Sequence, residues 1–266
     1  MNDIVILGAT GKTGRRVVEL LRAEGRQIRP ASRSSEVRFD WSDAATWEGV
    51  LTGARSMYLV APEDPALVRD FVKRAEGVER FVVLSGRGLE HVGGEAFRGM
   101  AAAEEAVRES GAEWTILRAN NFNQNFDEYT WREPLLAGRL ALPAGDVPEP
   151  FVDVHDIAAV AARVLTEGGH AGRVYELSGP RGLTFGEAVW VIAQAAGREI
   201  EYVELTPEAY RAELLAEGLP TEVADELGAM FAMMREGHLA EPTDGVQRVL
   251  GRPPVSFEDY AARAWA

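Results

Sequence analysis

A doubly wound α/β fold, a parallel sheet covered by helices with a smaller and mostly helical carboxy-terminal region, is what three features of the sequence predict. Short apolar runs alternate with amphipathic stretches from Ile4 to Leu117. A glycine-rich turn joins the first run to the first amphipathic stretch. Beyond Arg118 the alternation loosens, and from Leu183 the chain turns mostly helical. Alternating strand and helix is how parallel strands are connected, because each crossover has to return to the same end of the sheet.

Ile4–Leu7 is an apolar run closed by glycine, the pattern of a strand buried on both faces. Arg15–Glu24 carries apolar residues at helical spacing, and the same holds for Trp47–Leu51, Pro65–Glu76 and Phe97–Ser110, the last stopped by Gly111. Between these helices Arg26–Ala31, Val37–Phe39, Ser56–Val60, Arg80–Leu84 and Trp114–Leu117 complete six expected parallel strands. Aromatic and amide residues crowd the segment from Asn120 to Trp131, and the Gly/Pro-rich stretch from Leu136 to Pro150 reads as loops over a pocket. Asp156 then caps an expected helix, and Val174–Leu177 returns to the sheet. Glu187–Ala196, Pro207–Glu217 and Thr221–Glu236 are expected helices around a short strand at Ile200–Leu205. Residues 1–150 are therefore expected to form a nucleotide-binding domain whose sheet is completed by about 151–180, with 181–266 on the substrate side.

Composition removes several function classes. The chain has 266 residues, 46% hydrophobic and 26% charged, ordinary for a folded domain. Its net charge of −14, with basic residues scattered, would repel a nucleic-acid backbone, so no direct nucleic-acid partner is expected. It has no cysteine, which removes disulfides, thiolate metal sites and thiol nucleophiles. No His/Asp/Glu cluster has metal-ligand spacing, so no metal is expected. The first residues run straight into a strand and no long apolar span follows, so a cytoplasmic, unanchored protein, monomer or homodimer, is expected.

The turn reads Gly8-Ala9-Thr10-Gly11-Lys12-Thr13-Gly14. Glycines three apart permit a tight turn, bring backbone close to a pyrophosphate and let the helix pack on the sheet, with its amino end toward the phosphates. This is the Rossmann dinucleotide fingerprint, and Gly8, Thr10, Gly11, Lys12, Thr13 and Gly14 are the expected cofactor contacts. A phosphate-binding loop of the triphosphatase kind is disfavoured, because Lys12-Thr13 lies before the last glycine. After the second strand, Arg33 between serines suits a ribose 2′-phosphate, so NADP(H) is favoured and NAD(H) stays open. Asp40 and Trp41 either border the adenine or, in the case of Asp40, cap the following short helix.

Four stretches in order carry a family resemblance: the glycine turn, Phe81-Val82-Val83-Leu84-Ser85, Trp114-Thr115-Ile116-Leu117-Arg118 with Asn125, and Phe151-Val152-Asp153-Val154-His155-Asp156-Ile157-Ala158. Through them the chain resembles the NmrA-like, atypical short-chain dehydrogenase/reductase family. The resemblance implies an NAD(P)H-dependent quinone reductase, a tailoring reductase of secondary metabolites, or a redox sensor that binds dinucleotide without turnover. Phe39-Asp40-Trp41 and Tyr58-Leu59-Val60-Ala61-Pro62 look more like the tailoring reductases, which implies a cofactor contact at Ala61.

Ketone reduction in the wider superfamily uses a Ser together with a Tyr and a Lys four apart on one helix. Ser85 stands where the Ser belongs, but the following helix has Phe97 and Ala101 and offers neither Tyr nor Lys. Three explanations stand. The substrate needs little acid help, another residue such as His155 or Tyr129 donates, or the site is silent. Asn121 and Phe122 are placed to border the nicotinamide, and Phe122, Phe126, Tyr129 and Trp131 either stack a flat substrate or form a small core under a loop. Met230, Met233 and Met234 are either helix core or a flexible lid. The expected activity is hydride transfer to a planar conjugated small molecule, a quinone or aromatic polyketide intermediate, with oxygenation through a reduced, oxygen-reactive product and cofactor sensing as alternatives.

Overall fold

The computed structural model describes residues 3–91 and 97–266. It begins with β1 (Asp3–Leu7), α1 (Lys12–Ala23), β2 (Ile28–Ser32), β3 (Val37–Arg38), α2 (Trp47–Leu51) and β4 (Ala54–Val60). There follow α3 (Pro65–Arg74), β5 (Arg80–Gly86), α4 (Arg98–Glu109), β6 (Glu113–Ala119), α5 (Arg132–Ala137) and β7 (Arg139–Leu142). The remainder is α6 (Val154–Thr166), β8 (Arg173–Leu177), α7 (Phe185–Ala196), β9 (Glu201–Glu204), α8 (Pro207–Ala216), α9 (Thr221–Arg235), α10 (Gly245–Leu250) and α11 (Phe257–Trp265).

Seven strands form one parallel sheet in the order β3-β2-β1-β4-β5-β6-β8. The expected strand at 26–31 begins two residues later, because Arg26 closes the turn after α1 by donating its N–H to the Leu21 carbonyl. Side chains alternate across each strand, so Ile4 and Ile6 meet Val17, Leu21, Ile157 and Val160 on one face. Val5 and Leu7 join Met57, Leu59, Phe71 and Val107 on the other. Both faces are dry, which is why the strands read as continuous apolar runs.

The strand order reverses between β1 and β4, and at such a reversal the crossovers depart to opposite faces and leave a crevice at the carboxyl ends of the strands. A second core lies beside this crevice, built on Phe151, Phe185, Phe231 and Phe257 with Phe126 and Trp131. The packing is not divided at residue 150 or 180: Phe126–Leu142 joins the second core, while Val246 and Val249 of α10 pack back on the sheet.

Two local expectations are corrected. The stretch from Leu136 to Pro150 is not all loop, since β7 pairs in parallel with β9 from Arg139–Glu201 to Leu142–Glu204. The cap of α6 is Asp153, whose carboxylate accepts the His155 N–H at 2.8 Å; Asp156 is instead buried inside the first turn, where it accepts the Val255 N–H at 2.7 Å and pairs with Arg252. Both aspartates lie within reach of the helix start, and only the three-dimensional position of Val255 and Arg252 distinguishes them.

Candidate active site

The glycine turn leaves its helix end open. Gly8 has φ of +65°, the left-handed region that favours glycine, and a Cβ on Gly14 would lie 2.2 Å from the Gly8 carbonyl oxygen. The turn therefore closes tightly under the start of α1. No side chain caps α1, whereas α3, α6, α7, α8 and α11 each begin with a capping Asp, Thr or Ser. A helix of 12 residues with its first amides uncapped at the carboxyl edge of a parallel sheet fits a pyrophosphate. Thr10 and Gly11 are exposed there, and Thr13 and Gly14 are buried beneath.

Beyond β2, Ser32 Oγ accepts the Ser34 N–H and bonds Ser35 Oγ at 2.6 Å, which shapes a turn that presents Arg33 exposed at the strand end. Asp40 does not cap the next helical turn; Asp43 does. The Asp40 carboxylate accepts both the N–H and hydroxyl of Ser42, which hold its pKa below the usual carboxylate range. Trp41 packs edge-on against Phe39, Trp47 and Phe71, so most of its ring serves the second face of the sheet. Ala61, half-buried, follows directly on β4.

The cleft itself is a cavity of about 250 Å³ over the ends of β5 and β6. Lys12, Ser85, Asn121, Phe122, Asn125 and Tyr129 line it. Met100 of α4, Met230, Met233 and Met234 of α9, and Leu239 complete the lining, with Asn121 in contact with Met234. A larger hollow of about 540 Å³ lies at the other edge of the sheet, by Arg80 and Glu113, but those two are engaged in an ion pair and no group there suits redox chemistry.

Lys12, Arg15 and Arg16 share one face of α1, and all three reach the segment after β6. Lys12 Nζ donates to Asn125 Oδ1 at 2.6 Å and sits 4.3 Å from the centre of the Tyr129 ring. Arg16 pairs with Glu128 at 2.6 Å, and Arg15 pairs with the same carboxylate. Burial pulls the Lys12 pKa down to about 8, against the attraction of Glu128 and Asp127, with Arg15 and Arg16 adding to the fall.

Ser85 is buried and its hydroxyl donates to Glu104 Oε1 at 2.7 Å. Glu104 is itself buried, which opposes its charge, but Arg118, bonded to both oxygens at 2.9 and 2.8 Å, and the Ser85 hydroxyl together keep it ionised. The Ser85 proton is thus committed to a carboxylate, and what Ser85 offers a ligand is an acceptor. Under β6, Asn120 Nδ2 donates to buried Glu149 at 2.7 Å, and Glu149 also accepts the Asn121 N–H, which sets the turn that carries Asn121 and Phe122. Burial pushes the Glu149 pKa up, and the Asn120 amide opposes that rise. Arg87 bonds the Asn120 side chain at 3.0 Å and the Leu239 and Glu241 carbonyls at 3.2 and 2.8 Å, so it holds the segment after α9 over the cleft.

Three of the expected residues lie elsewhere. Phe126 is fully buried and packs against Trp131, Phe151 and Phe257, and Trp131 is 5% exposed. Both belong to the second core rather than to a substrate stack. His155 is not among the cleft-lining residues: its Nδ1–H donates to Asp153 at 2.7 Å, and its Nε2 accepts from Arg16 at 3.2 Å. Tyr129 does reach the cleft and is 69% exposed. Glu104, Glu149 and Arg87 escaped the sequence reading, because a charged residue on a helix or loop shows no local sign that its partner is buried. The methionines were visible as a helical i, i+3, i+4 set, but their role depends on where α9 docks.

Known proteins resemble this chain over most of their length. The uncharacterized oxidoreductase YesF of Bacillus subtilis is 34% identical, over 98% of this chain and 94% of its own. A (4-alkanoyl-5-oxo-2,5-dihydrofuran-3-yl)methyl phosphate reductase of Streptomyces griseus is 32% identical over 97% and 96%. An NADPH-dependent quinone oxidoreductase of Escherichia coli, solved with NADPH, superposes with a TM-score of 0.82 at 23% identity, over 99% of this chain and all of its own. The model of the NmrA-like family matches residues 1–258, across the glycine turn, the seven-stranded sheet and the methionine-walled cleft, and the chain belongs to that family.

Proposed function

We propose that this protein is an NADPH-dependent reductase of planar, conjugated electrophiles, with a quinone or aromatic polyketide intermediate of secondary metabolism as the leading substrate class. The composition of the cleft carries this reading: methionine and ring side chains for a flat apolar molecule, amide and ammonium groups among them, and Phe97 and Met100 as what the start of α4 brings to the lining, neither a phenol nor an ammonium. The Streptomyces griseus relative, a reductase by name, adds support. The choice of NADPH rests on Arg33, exposed where a 2′-phosphate would lie.

When bound, the dinucleotide supplies a hydride, two electrons with one proton, from its nicotinamide. The chain holds the pyrophosphate on the uncapped amides of α1, offers Ser85 and Asn121 as polar contacts and closes the cleft with α9. Such substrates relieve the site of a strong acid. The oxygen that receives the electron pair becomes a phenolate, whose conjugate acid lies near ~10, rather than an alkoxide nearer ~15.7. That gap is worth roughly 7–8 kcal/mol of proton affinity.

The test is anaerobic NADPH consumption with a panel of naphthoquinones, benzoquinones, iminium ions and cyclic enones. Turnover with NADPH, and slower turnover with NADH, is expected. Oxygen uptake coupled to NADPH oxidation would identify the oxygenating variant of the chemistry. Tight NADPH binding without hydride transfer to any of them would overturn the proposal.

A further inference from the structure

We propose that Lys12 is the proton donor of this site, delivering a proton from Nζ to the substrate oxygen that takes up the electron pair as hydride adds. The inference rests on the reductase reading above. In balanced form, the hydride brings two electrons to the conjugated system and a carbonyl π pair moves onto oxygen. An N–H bond of Lys12 breaks as the O–H bond forms, leaving a neutral amine that regains its proton from water.

Elimination points the same way as geometry. The Ser85 proton is given to Glu104, both ring nitrogens of His155 are engaged outside the cleft, and Phe97 and Met100 at the start of α4 carry no acid; among the described residues that leaves Lys12 and Tyr129, and Tyr129 turns its ring face, not its hydroxyl, to Lys12 Nζ. Lys12 Nζ, by contrast, is held in the cleft by Asn125 and the Tyr129 ring. The residue type is itself informative. Of 28 basic residues only Lys12 and Lys73 are lysine and the other 26 are arginine. An arginine does not release its proton under physiological conditions, whereas a half-buried lysine does. The charged groups around Nζ are Arg15 and Arg16 on its own helix and Asp127 and Glu128 across the cleft edge, and their balance with burial leaves the pKa at about 8. Transfer to a phenolate of pKa ~10 is then favourable by roughly a hundredfold.

The test compares Lys12→Gln and Lys12→Arg with wild type, using 2-methyl-1,4-naphthoquinone under argon. General-acid removal typically costs about 100-fold or more, so kcat should fall to that extent in both variants. The wild-type rate should decline above a break in the alkaline limb, and that break should vanish in both variants. Two measurements need no turnover. NADPH affinity, read by fluorescence, should change less than tenfold, and carbon-13 methyl labelling of the lysines should give a signal, absent from Lys12→Gln, that titrates near 8 in the free protein. Recovery of wild-type kcat in Lys12→Arg would show that only the charge matters and overturn the assignment. So would a large loss of NADPH binding at unchanged kcat, or a pH break that persists in Lys12→Gln and disappears in Tyr129→Phe. Wild-type protein that binds NADPH but reduces no quinone or enone would overturn the reductase reading as well, and that outcome is distinguishable from normal turnover with an indifferent Lys12.

Discussion

Asp153→Asn is the sharpest test of how the cleft is held. Asp153 is fully buried at the start of α6, where it caps the helix through the His155 N–H and accepts from the Gln124 side chain at 3.1 Å. It also pairs with Arg263 of α11, so one carboxylate joins the sheet domain, the segment that carries Asn125, and the end of the chain. Burial opposes its charge, but the hydrogen bonds from His155 and the attraction of Arg263 outweigh it and bring the pKa to about 2, against 3.8 for an unperturbed Asp. That shift is worth about 2.4 kcal/mol at pH 7. Because His155 and Arg263 are each 49% exposed, solvent screening reduces the expectation to about 1.5–2 kcal/mol. The sign follows from the depressed value: the stabilisation is complete above the unfolded pKa near 3.8 and is lost as pH falls through the folded value near 2. Asparagine keeps the cap and removes the charge, so urea unfolding should show a gap of about 2 kcal/mol between wild type and variant from pH 7 down to pH 5. By pH 3 that gap should shrink by about 1 kcal/mol. A gap under 0.5 kcal/mol at pH 7, or one that does not narrow on acidification, would refute the assignment of this carboxylate as an ionised clasp.

Three other outcomes are expected. Arg33→Ala should weaken NADPH binding by about 10-fold, as expected for one exposed charged contact, and leave NADH binding unchanged, both read by cofactor fluorescence titration. Phe126→Ala should cost about 3–5 kcal/mol in chemical unfolding while the folded fraction keeps its quinone KM; Phe122→Ala should do the reverse, because Phe122 lines the cleft and Phe126 does not. Gly99→Ala should destabilise by about 2–4 kcal/mol in the same assay, since the added Cβ would lie 1.7 Å from the Pro62 carbonyl oxygen and push α4 off the turn that follows β4.

The sequence alone determined whatever depends on neighbours along the chain. The strand, glycine turn and helix from Asp3 to Ala23 follow from period, from the conformational freedom of Gly8 and from the lack of room beside Gly14, all properties of a single continuous segment. That the helix after Ser85 carries neither Tyr nor Lys was legible for the same reason, because residue types at a fixed spacing within one helix are a local property. What the tertiary structure decided is which side chains share a space. Four aromatic residues in ten positions look the same whether they stack a substrate or fill a core, and only the docking of α7 and α11 turns Phe126 and Trp131 inward while Phe122 and Tyr129 stay in the cleft. The methionine wall comes from α9, more than a hundred residues beyond the strands it covers. Lys12 could be placed in the phosphate turn by its position in the motif, but its ammonium is held by an asparagine 113 residues away, and the burial that lowers its pKa comes from the packed segment after β6. Burial and through-space charge are set by the packed chain, so no local pattern carries them.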